Sequence, residues 1–191
     1  MRKLIAFEWI SLDGVFDADP EYFSKWFIPY HSNSRAECIR SILEGADAFL
    51  YGATTYEMLA PFWSTQTTDE NGPAKALNEL PKYVVSTTLK EPIWQNTEKI
   101  ISTDVEAEIQ KIKEEGTGYI LISGSGKLVA SLMKAGLLDE FHFLVHPYIM
   151  NSGRRLFNEA MPEAALELLA SKELDLGVMQ LDYRIKNAGV E

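Results

Sequence analysis

The residues best suited to chemistry gather where apolar runs give way to glycine and hydroxyl groups. Residues 123–128 read SGSGKL. A glycine-bearing turn that opens a helix exposes backbone N–H groups, and the helix dipole favours an anion beside them. Glycine lets that anion come close because no Cβ intervenes. Two stronger phosphate motifs do not fit. A Walker loop needs glycine five residues before Gly126 and a hydroxyl residue after Lys127, but Leu121 and Leu128 stand there. A Rossmann fingerprint needs Gly or Ala at the position of Val129 and normally lies near the start of the fold. The same glycines equally suit a plain tight turn, and that alternative stays open.

Two more segments end in small or hydroxylated residues, YGATTYE at 51–57 and VVSTTLK at 84–90. Thr54 and Thr55 can cap a helix or flank a phosphate at its N-terminus. One such end is ordinary. Three point to a single crevice, because ligands of open α/β sheets bind at the carboxyl ends of strands. A fourth segment, WISLDG at 9–14, precedes an aromatic stretch at 17–33 holding Tyr22, Phe23, Trp26, Phe27 and Tyr30. Asp13 either caps the turn before Gly14 or borders a site, and Trp26 with its neighbours either joins the core or covers a planar ring.

His142 and His146 resemble a chelating pair. On a strand, however, they stand roughly 13 Å apart at ~3.3 Å per residue, too far for one metal. No metal site is expected. Cys38 is the only cysteine, so no intrachain disulfide and no multi-thiolate zinc site can form.

These segments need a frame to position them. KLIAFEWIS, AFLYG, KYVVS, EKIIS, YILIS and FHFLVHPYIM read as buried strands, the last over 141–150. Helices alternate with them. One opens at Ser34, whose spacing to Glu37 makes a capping box, and closes near Gly45 with Ile39, Ile42 and Leu43 on one face. TYEMLAPFW is a short helix stopped around Pro61, and residues 64–73 form a polar, mobile loop. Thr103 and Glu106 make a second capping box, opening a helix with Val105, Ile109 and Ile112 inward, and LVASLMKAG is a further helix. ELLASKELDL and VMQLDYRIK close the chain as a hairpin. The fold class is therefore α/β, a largely parallel sheet with antiparallel strands at one edge, in one domain over residues 1–191.

The formal net charge of −10 argues against nucleic acid and against an anionic membrane surface. Glu8 and Asp13 interrupt any signal-peptide core, and no run approaches the ~20 apolar residues of a membrane span. A cytoplasmic location is expected.

Taken in order, SLDG (11–14), YGATTYE (51–57), KYVVSTTL (82–89), GSGKLVASLMKAGLLDE (124–140) and HPYIMNSGRRLF (146–157) resemble the dihydrofolate reductase-like superfamily. The branch they most resemble holds the reductase domain of bacterial riboflavin biosynthesis. The resemblance implies a three-layer fold, a central mixed sheet with helices on both faces, and NADPH laid across the strand ends. Trp9 and Ile10 would sit near the nicotinamide. Gly52, Thr54 and Thr55 would face the phosphates, Ser86, Thr87 and Thr88 the adenosine side, and Ser123, Gly124, Ser125, Gly126, Lys127 and Leu128 the pyrophosphate. Asp13 is the candidate catalytic residue, and Trp26 and Tyr56 are the candidate substrate contacts. The family's usual arginine is replaced by Ala53, which leaves NADH possible as cofactor. The implied activity is reduction of a small heterocyclic or sugar-derived compound, with 5-amino-6-(5-phosphoribosylamino)uracil as the family-level substrate, by a homodimer. A non-catalytic nucleotide-binding or stress-related module on the same fold remains the alternative.

Overall fold

The computed structural model describes residues 1–17, 24–66 and 72–186. Tyr22 and Phe23 of the aromatic stretch, and residues 67–71 of the polar loop, lie outside the described residues. In chain order the strands are β1 (Lys3–Ser11), β2 (Val15–Asp17), β3 (Ala46–Gly52), β4 (Lys82–Val85), β5 (Thr97–Ile101), β6 (Tyr119–Ser123), β7 (Glu140–His146), β8 (Arg154–Arg155), β9 (Leu166–Glu173) and β10 (Met179–Ile185). The helices are α1 (Asn33–Glu44), α2 (Ala53–Trp63), α3 (Ala74–Glu79), α4 (Val105–Glu114) and α5 (Gly126–Lys134).

Eight strands form one sheet in the order β5-β4-β3-β6-β1-β7-β10-β9. The six strands from β5 to β7 run parallel, and β10 and β9 are antiparallel additions at one edge. All six parallel strands therefore point their carboxyl ends to the same side. That geometry brings Ser11, Gly52, Ser86, Ser123 and His146 to one rim.

Side-chain alternation along the strands feeds two cores. Leu4, Ala6 and Ile10 of β1, with Leu50 and Ile122, pack beneath Ile109 and Ile112 of α4 and Leu128, Val129 and Leu132 of α5. Ile5 and Phe7, with Phe49, Tyr51 and Leu144, pack on the other face beneath Cys38 and Ile42 of α1 and Tyr56 and Ala60 of α2. The expected mixed sheet with helices on both faces is present.

Several boundaries differ from the sequence reading. Ser32, not Ser34, caps α1, its hydroxyl accepting the Arg35 N–H at 3.2 Å. Ser34 Oγ instead accepts the Asp175 N–H at 2.9 Å. Thr103 does not cap α4; the chain enters through Asp104 in a left-handed conformation, φ 49°, with no side-chain cap. Helix α2 continues through Pro61 to Trp63. A proline so near the end of a helix removes a single late hydrogen bond, and Tyr56 and Ala60 already bury the helix face. Strand β7 ends at His146 rather than 150, because Pro147 has no N–H to continue the ladder. The short β2–β8 pairing, which no alternating run in the sequence marks, folds residues 154–155 back over the SLDG turn.

Candidate functional site

The rim is knitted by hydroxyl groups. Ser125 Oγ accepts the Gly52 N–H at 2.9 Å and donates to Thr55 Oγ1 at 3.0 Å, joining the end of β3 to the turn after β6. Gly124 and Ser125 both take left-handed conformations, φ 65° and 63°, and Gly126 then opens α5. At the head of α5 the Leu128 and Val129 N–H groups bond back to Ser125 O at 2.7 and 3.0 Å, and a helix start leaves the amides before them outside its ladder. A Cβ at Gly124 would lie 3.1 Å from Thr55 Oγ1, and one at Gly126 would lie 2.5 Å from Phe16 Cζ. Both glycines are thus already demanded by contacts inside the protein.

Among the expected cofactor residues, Thr54 is exposed at the head of α2, Lys127 is exposed on α5, and Gly52, Thr55, Ser123, Gly124, Ser125 and Gly126 are half-buried around the same rim. Leu128 is not a rim residue: its side chain joins the core beneath α5. Ser86 is buried and closes its own turn, its hydroxyl accepting the Thr88 and Leu89 N–H groups at 3.1 and 2.9 Å. Thr87 and Thr88 remain exposed beside it.

At the end of β1, Trp9 and Ile10 point to opposite faces, so they do not flank one ring. Ile10 is core. Trp9 stacks on Phe27, centroids 4.5 Å apart at 26°. The Arg35 guanidinium lies over the Phe27 ring, 4.3 Å from its centroid. Its Nη1 donates to Phe27 O at 2.9 Å and lies 3.3 Å from His146 Nε2. His146 is fully buried, and burial with the neighbouring guanidinium pushes its pKa down to about 4. It therefore sits neutral beneath the aromatic cluster. Trp26 is buried edge-on to His146 at 5.2 Å and packs with Val15 and Met150, a core position rather than a cover. His142 lies earlier on β7, 3.2 Å from Glu140. Among the described residues no group of three or more His, Cys, Asp or Glu side chains could hold a metal.

Tyr56 lies in the core, not in a substrate pocket. It is wholly buried, its hydroxyl pairing with Thr97 at 2.8 Å and accepting the Ile93 and Trp94 N–H groups at 3.1 and 2.9 Å. Asp13 is engaged on both oxygens. Oδ1 accepts Ser11 Oγ–H at 2.7 Å and Met150 N–H at 3.0 Å; Oδ2 accepts Asn151 N–H at 2.9 Å and faces Arg155 Nη2 at 3.4 Å. These donors, the Met150 amide foremost, hold its carboxyl well below the usual carboxylate range. Such an ionised, saturated carboxylate is built to brace the 147–155 segment, and it is a poor proton donor.

One residue at the rim escaped the motif reading. Glu8, in the middle of β1, is almost completely buried; its Oε2 accepts the Gly124 N–H at 3.0 Å. Burial raises its pKa well above the usual carboxylate range, the Gly124 bond opposing. The signal was a single acid interrupting an apolar central strand, which no local motif marks.

Residues 2–179 match the family described as the RibD C-terminal domain. The uncharacterized protein YwjB of Bacillus subtilis (strain 168) is 35% identical over 188 residues, covering 95% of this chain and 97% of the relative. A putative riboflavin biosynthesis protein from Shewanella sp. PV-4 superposes with a TM-score of 0.70 at 19% identity, covering 97% of this chain and 99% of that one. Dihydrofolate reductase from Enterococcus faecalis, solved in complex with NADP(H), superposes with a TM-score of 0.64 at 14% identity, covering 97% of each chain. Residues 2–179 span the sheet's parallel core and every rim segment described above, and the chain belongs to the RibD C-terminal domain family, on a dihydrofolate reductase-like fold.

Proposed function

We propose that this chain is an NAD(P)H-dependent reductase of a small heterocyclic or sugar-derived compound, acting as one domain over residues 1–191. The observation that carries the reading is the joined rim, where Ser125 ties Gly52 and Thr55 to the left-handed turn that opens α5. Backbone amides at a helix start and clustered hydroxyls are donors without negative charge, which suits a diphosphate. Gly52, Thr54, Thr55 and Ser123 through Lys127 would hold the diphosphate, with Thr87 and Thr88 on the adenosine side and Trp9 toward the nicotinamide. Membership of the family and the NADP(H) complex of the Enterococcus relative support this assignment.

The bound nicotinamide would supply the hydride. The protein's part is to orient the ring, exclude water and manage a proton. The Trp9–Phe27 stack offers a flat apolar surface, with the Arg35 guanidinium and neutral His146 packed against Phe27. Reduction of 5-amino-6-(5-phosphoribosylamino)uracil is the activity at family level, and a homodimer is the proposed assembly. Titration of the protein with NADPH and with NADH, followed by nicotinamide fluorescence, tests the reading. Saturation in the micromolar range, roughly −8 kcal/mol, is expected for at least one. No saturable binding of either up to millimolar concentration refutes it.

A further inference from the structure

Glu8 is the buried group that the proposed reaction does not use, and it is costly. A carboxyl in a central strand, walled by apolar side chains, loses its hydration and regains one hydrogen bond among the described residues. In register it pairs with Phe143 of β7, and its face of the sheet is that of Ala6 and Ile10. Leu128 and Val129 of α5 and the ring of Phe16 from β2 cover that face. Oε2 is taken by the Gly124 amide, while Oε1 is buried and meets no donor among the described residues. An orphaned buried oxygen is the natural seat of a proton.

Among the described residues no opposite charge pairs with Glu8. Lys127 and Lys134 of α5 are exposed. At the amino end of β1 the charges pair among themselves, Arg2 with Asp47 at 2.8 Å and Lys113 with Asp139 at 2.6 Å, and Asp139 also accepts the Leu4 N–H. Glu140 and His142 of β7, and Asp182 of β10, project from the opposite face.

Its partner, Gly124, is the first left-handed residue of the turn that heads α5, the place assigned above to the diphosphate. Resting on that dinucleotide reading, we propose that Glu8 is a positioning residue that holds the Gly124 amide as a neutral acid and makes dinucleotide binding take up a proton. Two phosphate charges brought to this turn would stand close to an ionised Glu8 across a region that water does not screen. The bound state therefore favours the protonated carboxyl, and the free state releases the proton more readily.

The test is the dissociation constant of NADH from pH 5.5 to 9 in the parent and in Glu8→Gln. NADH is the probe because the 2′-phosphate of NADPH has its own titration near pH 6. Glutamine keeps an oxygen for the Gly124 amide and cannot ionise. The parent's affinity should be flat at low pH and weaken with rising pH, by up to tenfold per unit while one proton is coupled. Glu8→Gln should bind NADH as tightly as the parent at low pH, with a flat profile. Calorimetry of the parent in buffers of different ionisation enthalpy gives the proton uptake directly, whatever the variant's stability. A flat parental profile with no proton uptake, or equal slopes in parent and variant, overturns the Glu8 assignment while leaving the dinucleotide site intact. Absence of binding at every pH refutes the site itself, and this proposal with it.

Discussion

Replacing Asp13 by alanine separates a bracing role from a catalytic one. The carboxylate accepts two backbone amides, Met150 at 3.0 Å and Asn151 at 2.9 Å, and Asn151 is held in a left-handed conformation, φ 57°. Hydrogen bonds to a charged acceptor are each worth about 1.5–3 kcal/mol. The side chain keeps 18% of its surface exposed, so the lower part of that range applies. The expected loss is about 3–4 kcal/mol, measured by urea unfolding at pH 7. The sign with pH follows from the lowered pKa. The contribution is fully present above the unfolded aspartate pKa of about 3.9 and is lost as pH falls through the lower folded value. The stability gap between parent and Asp13→Ala should therefore shrink as the pH drops below about 4. A gap under about 0.5 kcal/mol at pH 7, or one that stays constant into acid, refutes the bracing argument. Loss of NADPH oxidation without loss of stability would return Asp13 to the reaction.

Tyr56→Phe should cost about 1–3 kcal/mol by orphaning the Trp94 amide, while leaving NADPH affinity unchanged; weakened binding at normal stability would restore the residue to the site. Gly124→Val should remain folded at a cost of roughly 1–3 kcal/mol, since its φ is 65° and its Cβ meets Thr55, and NADPH affinity should fall more than tenfold. Parental affinity in the folded variant would remove residues 123–127 from the diphosphate assignment. Ala53, the first residue of α2, offers no charge to a 2′-phosphate, so Ala53→Arg should tighten NADPH binding roughly tenfold and change NADH binding little. Equal shifts for the two cofactors would place residue 53 away from the 2′ position.

The sequence by itself determined the alternation of the buried strands β1, β3, β6 and β7 with α1, α2, α4 and α5, because those strands are short apolar runs and those helices carry their own apolar face; β2, β8 and α3 bear no such mark. It also determined the glycine and hydroxyl character of the strand ends, since local turn chemistry selects those residues. The order of the motifs was enough to mark the family. Tertiary structure decided which of those residues work together. Leu128 and Tyr56 sit inside rim motifs by sequence, yet their side chains turn into the cores, a direction set by packing against strands far along the chain. Ser125 links to Gly52 across 73 residues, and Asp13 to Met150 across 137, and no local pattern encodes such pairings. Capping residues misled for the same reason: Ser34 has the spacing of a cap, but its hydroxyl is taken by Asp175 from the β9–β10 connection. Glu8 shows the limit most clearly. In the sequence it is one acid in an apolar strand, and only the parallel pairing of β1 with β6 brings it to the turn where its charge matters.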